Sequence, residues 1–394
     1  MKIVGIIAEY NPFHNFHAMH IEESRRLAGG DAAVVCVMSG DFVQRGEAAI
    51  FSKFARARAA VQGGADLVLE LPLPWCLSSA EGFARGGVGL LGALGCVDCL
   101  SFGAENADVK SLDAVAALLL GPSFDAAVRD ELQTGVSYAT ARQAAVARRA
   151  GPLAQLLVEP NNNLAVEYLK AIRIQKLSLQ PLAVERKGPA HDGEGASAAG
   201  LRRMLAQQKP IGAYVPAACQ KIYQGELEAG RGPVTAEALE CALLSRLRMK
   251  TQADFSLLPD DAEGLSKKLC DAAHEECSLA EVLSAAKSKR YALSRLRRMC
   301  LCAALGIHAG DAAGTPPYAR VLAADTRGRE VLRLAQQRAA VPILTKPASV
   351  RNMDGQSKKI FLLGSDAHDF YVLGCSAAAE RRGNADWRTS PCVL

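Results

Sequence analysis

Residues 2–20 read KIVGIIAEYNPFHNFHAMH, an apolar run followed by three histidines, His14, His17 and His20, within seven positions. The chain has seven histidines in all, so nearly half stand where a first strand would hand over to a first helix. KIVGIIA has the continuous apolar character of a strand covered on both faces. Pro12 fixes its own φ and pushes Asn11 out of the helical region, so the strand must end by Asn11. A helix is then expected to begin around Asn15, a favoured capping residue. His14 and His17, three apart, project to the same side of that helix start. A helix N-terminus carries unpaired N–H groups and about half a positive charge, which suits an anion. Two imidazoles added there can donate to phosphate oxygens and stabilise the charge that develops when a phosphoryl centre is attacked. The same spacing also fits two polar surface residues. It could begin a zinc site as well, although beyond His20 no further ligand is evident nearby.

Working outward, the first hundred residues alternate. HAMHIEESRRLAG reads as a helix, AAVVCVM as a strand and KFARARAAVQGG as a helix. ADLVLELP is a third strand, SAEGFARGGVGLLGALG a third helix and VDCLSFG a fourth strand. Apolar strands separated by helices predict an α/β architecture with a parallel sheet, whose ligand sits beyond the carboxyl ends of the strands. Polar loops follow three of the four strands there: EYNPFHNFH, SGDFVQRGE and GAEN. EPNNNLAVEYLKAIRIQ is a further helix with an Asn-rich start, and QPLAVER one more strand. The glycine-rich turn GEGASAAG, a flexible-loop candidate, opens a basic helix. After Pro210 the pattern is helical without clean alternation, so the chain divides into residues 1–210 and a mostly helical region, 211–394.

Hydrophobic residues make up 49% of the 394 and charged residues 22%, which argues against disorder. The formal charge of +5 permits an anionic partner without demonstrating one. Neither a signal peptide nor a membrane span is expected. Twelve cysteines scattered through apolar runs fit a reducing, cytoplasmic setting. Cys96 and Cys99 form a lone CxxC, read as buried structural thiols.

A strand followed by HNFH (14–17) at a helix start resembles the H-x-G-H pattern of the nucleotidyltransferase superfamily. The longer blocks GIIAEYNPFHNFHAMHIEESRR (5–26), MSGDFVQRGEAAIFSKFARARAAVQGGADLVLELP (38–72), EPNNNLAVEYLKAI (159–172) and KSKRYALSRLRRMCLCAALGI (287–307) are similar to the tRNA(Met) cytidine acetate ligase family. That resemblance covers most of the chain and implies a Rossmann-like nucleotidyltransferase domain. It implies ATP-dependent activation of acetate to acetyl-AMP, then acetylation of N4 of the wobble cytidine of elongator tRNA(Met). It assigns ATP to Ile7, Ala8, Glu9, Tyr10, Asn11, Pro12, Phe13, His14, Asn15, Phe16, His17, Ala18, Met19 and His20, with His14 and His17 as the catalytic pair at the phosphates. Gly103, Asn161, Arg186 and Lys187 complete the ATP site, with Asn162, Asn163, Ser197 and Arg202 as weaker candidates. Magnesium is expected on the triphosphate, with no acidic motif assigned to it. The chain departs from the family at Phe16, where the family has glycine: either the ring points away or it alters the nucleotide site.

Residues 281–300 carry six Lys and Arg against one Glu. On a helical projection Leu293, Leu296 and Cys300 share one face, opposite Lys287, Arg290, Arg297 and Arg298. Such a run fits a solvated helix face. With Tyr291 interleaved it also fits phosphate contacts and base stacking in an RNA binder. Lys289, Arg290, Tyr291, Arg295, Arg297 and Arg298 are therefore the candidate tRNA-binding residues. Two other functions stay open: an adenylyltransferase of a small metabolite, and a non-catalytic RNA-binding protein with a decayed nucleotide site.

Overall fold

The computed structural model describes residues 1–186, 197–262 and 264–394. Strands β1 (Lys2–Ala8), β2 (Ala32–Ser39), β5 (Leu67–Leu71), β6 (Cys99–Ala104) and β7 (Gln180–Glu185) form a parallel core. Between β2 and β5 a small antiparallel hairpin pairs β3 (Phe42–Val43) with β4 (Glu47–Ala48). Three more strands return from the second half: β8 (Ala319–Ala324), β9 (Ile343–Leu344) and β10 (Cys392–Val393). The sheet order is β10-β8-β5-β2-β1-β6-β7, with β9 alongside β8.

Helix α1 (Asn15–Leu27) follows β1, and α2 (Lys53–Gln62) links the hairpin to β5. Side chains alternate faces along a strand, and the core divides accordingly. Ile3, Ile7, Val35 and Val37 pack on one side with the helices Ala80–Ala93 and Pro160–Ile174. Val4, Ile6, Val34 and Cys36 pack on the other with α1 and α2. Gly5 is required by one of these approaches: a Cβ there would stand 2.6 Å from Leu91 of the helix Ala80–Ala93.

The region after residue 210 is mostly helical, but the helical reading missed β8. The sequence ARVLAA runs antiparallel to β5, with Leu67 opposite Ala324 and Glu70 opposite Arg320, so the last part of the chain closes the sheet edge. A separate apolar cluster unites the helices Ala236–Arg248, Leu265–Glu275, Leu279–Ala286 and Leu293–Leu305. Among the described residues no single helix is long and apolar enough to cross a membrane. Cys96 and Cys99 are buried free thiols.

Candidate nucleotide site

The loop from β1 to α1 is held rigidly before it reaches the histidines. Tyr10 is buried with φ +47°, a left-handed conformation uncommon for a bulky residue. Its hydroxyl lies 3.2 Å from the Cys36 sulfur. Phe13 is fixed by Tyr223, whose hydroxyl accepts from the Phe13 N–H at 2.9 Å and donates to the Phe13 carbonyl at 3.3 Å. Asn11 accepts from the Ile50 N–H at 2.7 Å.

Asn15, expected as the cap, is instead the first helical residue, and His14 holds the capping position with extended backbone. The His14 N–H donates to Nδ1 of His17 at 3.2 Å. A neutral His17 accepting at Nδ1 carries its proton on Nε2. The His14 and His17 rings stack with centroids 3.8 Å apart, so the shared side expected from their spacing is realised. His20 turns toward β6, where its Nε2 lies 3.1 Å from the Ser101 hydroxyl. Burial, reinforced by the Arg186 charge, brings His14 and His20 each down to about 4. Burial and the neighbouring imidazoles push His17 well below its ordinary value. All three rings are therefore neutral donors at neutral pH. Phe16 stands edge-on to the His14 ring, centroids 6.0 Å apart, so its phenyl group belongs to this wall.

Two buried polar atoms in the loop, Nδ1 of His14 and Nδ2 of Asn11, lack a hydrogen-bond partner among the described residues. Buried polar atoms are seldom left unpaired in a finished site. They sit at the N-terminus of α1, where an anionic ligand with acceptor oxygens fits.

The facing wall comes from the ends of β6 and β7. Gly103 pairs with Val184, and a Cβ on Gly103 would sit 3.3 Å from the Arg186 side chain, so the bare backbone gives that arginine room. Glu105, which sequence reading passed over, organises this wall. It accepts from the Asn161 side-chain amide at 2.5 Å and from the N–H groups of Asn161 and Asn162 at 3.3 and 2.9 Å. Glu105 thereby caps the helix Pro160–Ile174. Arg186 donates to the side-chain amide oxygen of Asn161 at 3.2 Å. Gly103, Asn161 and Arg186 are thus one cluster, and the Arg186 charge is felt by His14, His17 and His20. Lys187 and residues 193–196 of the glycine-rich turn lie outside the described residues. Of the weaker candidates, Ser197 caps its helix by accepting from the Gly200 N–H at 3.1 Å. Arg202 donates to the Asn11 carbonyl at 3.0 Å.

Behind the loop, the fully buried Arg56 guanidinium donates to the carbonyls of Phe51 at 2.9 Å, Glu9 at 2.6 Å, Ser39 at 3.1 Å and Gly40. It ties the carboxyl ends of β1 and β2 together. Beside it Lys53 contacts Glu70 at 2.9 Å and Asp386 at 2.7 Å, and Arg320 contacts the same two carboxylates at 3.0 and 2.8 Å. His368 meets Asp41 at 2.8 Å.

The basic segment differs from its expected form. The run is broken between the helices Leu279–Ala286 and Leu293–Leu305, so Lys287, Lys289, Arg290 and Tyr291 lie between them, with Lys289 and Arg290 exposed. Arg298 is buried and paired with Asp260 at 2.9 Å, which removes it from the solvated face. Arg295 donates to the Asp260 carbonyl at 2.8 Å through Nε and lies over the Tyr291 ring. Arg297 pairs with Glu47 at 2.5 Å. These partners lie far away in sequence, where no helical projection could find them.

The model of the family described as HIGH Nucleotidyl Transferase matches residues 1–386. The tRNA(Met) cytidine acetate ligase of Acetivibrio thermocellus is 34% identical, with both chains covered in full. That of Thermosipho africanus is 36% identical over 88% of this chain and 85% of its own. Among solved structures, Thermotoga maritima TmcAL bound with alpha-thio ATP superposes with a TM-score of 0.94 at 31% identity, each chain fully covered.

Proposed function

The chain belongs to the tRNA(Met) cytidine acetate ligase family of HIGH nucleotidyl transferases, and from that premise we propose that it activates acetate with ATP and transfers the acetyl group to N4 of the wobble cytidine of elongator tRNA(Met), in the cytoplasm. In the first step an acetate oxygen attacks the α-phosphorus and the bond to pyrophosphate breaks, giving acetyl-AMP. In the second the cytidine amine attacks the acetyl carbonyl, AMP leaves and the amine proton passes to solvent or base. The protein has little covalent work in either step, so its contribution is positioning and charge stabilisation.

The observation that carries the reading is the stacked pair His14 and His17 at the N-terminus of α1, with the unpaired His14 Nδ1 and Asn11 Nδ2 beside it. Neutral imidazoles donate hydrogen bonds without bringing a buried charge that would need compensation when the site is empty. Arg186 supplies the fixed positive charge, and Asn161 and Glu105 hold it in place. Magnesium is proposed as the counter-ion of the triphosphate, part of the substrate. Among the described residues no group of three or more His, Cys, Asp or Glu could hold a metal ion.

The test is ATP-dependent incorporation of labelled acetate into elongator tRNA(Met). Incorporation by the natural chain, lost in His14→Ala and retained in Phe16→Gly, is the expected result. A natural chain that binds both ATP and the tRNA yet transfers no acetate would overturn the reading.

A further inference from the structure

A second cationic centre touches the nucleotide loop at the Asn11 carbonyl. The β3–β4 hairpin places Glu47 between two arginines from distant parts of the chain, Arg297 at 2.5 Å and Arg202 at 3.5 Å. Arg202 also donates to the Asn11 carbonyl, so this cluster abuts the loop that carries His14. The hairpin is held against the helix Leu293–Leu305 so closely that a Cβ on Gly46 would stand 2.5 Å from the Arg298 nitrogen. Arg45 stands at the exposed tip of the same hairpin, two residues before Glu47, and its charge and that of Arg202 both act on the half-buried Glu9 carboxyl. Burial outweighs them and leaves Glu9 raised above the ordinary carboxylate range.

Solvent reaches this centre. The side chains of Glu47, Arg297 and Arg202 are 29%, 36% and 24% exposed, so an incoming phosphate can contact the guanidiniums and compete with Glu47. An exposed ion pair of this kind contributes little to stability, whereas an arginine fork binds phosphate oxygens in a bidentate manner. The exposed Lys289 and Arg290 precede the same helix and extend the positive surface.

We propose that Arg45, Arg202 and Arg297 form the phosphate contact where the tRNA strand passes the nucleotide loop, and that Glu47 is the internal anion which the RNA backbone displaces. The inference rests on the functional reading above and adds the place of delivery. It puts the backbone beside the nucleotide-binding loop, so that a base splayed from the same strand faces the acyl group. Contacts to phosphate position the RNA and carry no sequence information. Affinity for any tRNA should therefore change together when these residues change.

The experiment is tRNA binding measured against salt, using the full chain and the variants Arg45→Gln, Arg297→Gln and Glu47→Gln. Elongator tRNA(Met) and an unrelated tRNA are compared, with ATP binding measured separately. Each arginine variant should bind both tRNAs several-fold more weakly and flatten the slope of log K against log salt by about 0.7–1. Glu47→Gln should bind both more tightly. Arg45→Gln, being at an exposed tip, should leave ATP affinity unchanged. If the natural chain binds tRNA but the slopes of the variants match it, the site is elsewhere and the functional reading stands. If the natural chain binds no tRNA, the functional reading falls, and this inference with it.

Discussion

Arg186→Gln tests the division of labour between charge and hydrogen bonding at the site. The three imidazoles are neutral because burial holds them low, so the cation of that wall is Arg186, which is exposed and donates to the Asn161 side chain. Glutamine keeps an amide donor within reach of Asn161 but removes the charge. A charge-assisted hydrogen bond contributes about 1.5–3 kcal/mol, and each 1.4 kcal/mol is tenfold in binding. ATP affinity at pH 7.5 should therefore fall roughly 10- to 100-fold by titration calorimetry, while the melting temperature stays within about 1 °C.

The pH arm has a definite sign. In the free protein His14 and His20 protonate near pH 4, and a bound triphosphate raises those values because opposite charge favours the protonated ring. The complex then binds more protons than the free protein, so affinity should strengthen as pH falls from about 6 toward 4 and stay flat above neutrality. Removing Arg186 lifts one cause of the depression and should move that window upward. Unchanged ATP affinity in Arg186→Gln, a loss matched by a lower melting temperature, or weakening on acidification would each refute the argument.

Lys53→Met strips one cation from between the buried Glu70 and Asp386 and should cost about 3–5 kcal/mol, read as a lower denaturant midpoint. Tyr223→Phe leaves the buried N–H of Phe13 without its acceptor, so stability should drop by about 1–3 kcal/mol and the KM for ATP should rise, both measured on the same preparation. Burial disfavours a charged His368, but the Asp41 carboxylate outweighs it and holds the ring above its ordinary pKa. That stabilisation is fully present below pH 6.5 and lost as pH rises through the raised value, whereas the depressed site histidines withdraw stability as pH falls from 6.5 toward 4. Unfolding free energy should thus peak near pH 6.5, where the two windows meet, and the alkaline decline should vanish in His368→Gln.

The first hundred residues were legible because the strands are short and mainly apolar and the first helices run into glycine, at Gly29, Gly63 and Gly95. The clustering of His14 with His17 followed from a three-residue spacing, whereas Gly103 and Arg186 came from the family resemblance. β8 was not legible. ARVLAA has the same small apolar residues as the helices around it, and only its distant partner β5 makes it a strand. Glu105, Arg56 and Tyr223 escaped for a similar reason. A glutamate after a strand, an arginine in a helix and a tyrosine in another carry no local mark of the backbone groups that they will hold. The basic segment misled because a helical projection assumes a helix, and Lys287–Ala292 is not one.

The closure of the sheet by β8 has a consequence for how the molecule comes into being. β5 is buried along its whole length, yet its neighbour on one side arrives some 250 positions later, and Asp386, a partner of Lys53, later still. A nascent chain that has emerged only through residue 210 holds the histidine loop beside an open apolar edge, with Lys53 and Glu70 lacking both Arg320 and Asp386. An unpaired, hydrophobic edge strand is a template for aggregation. The sheet that carries the histidine loop is therefore complete only once the last strands have been made. A fragment cut at 210 should be recovered as an insoluble species, and adding residues 211–394 in trans should be what restores it.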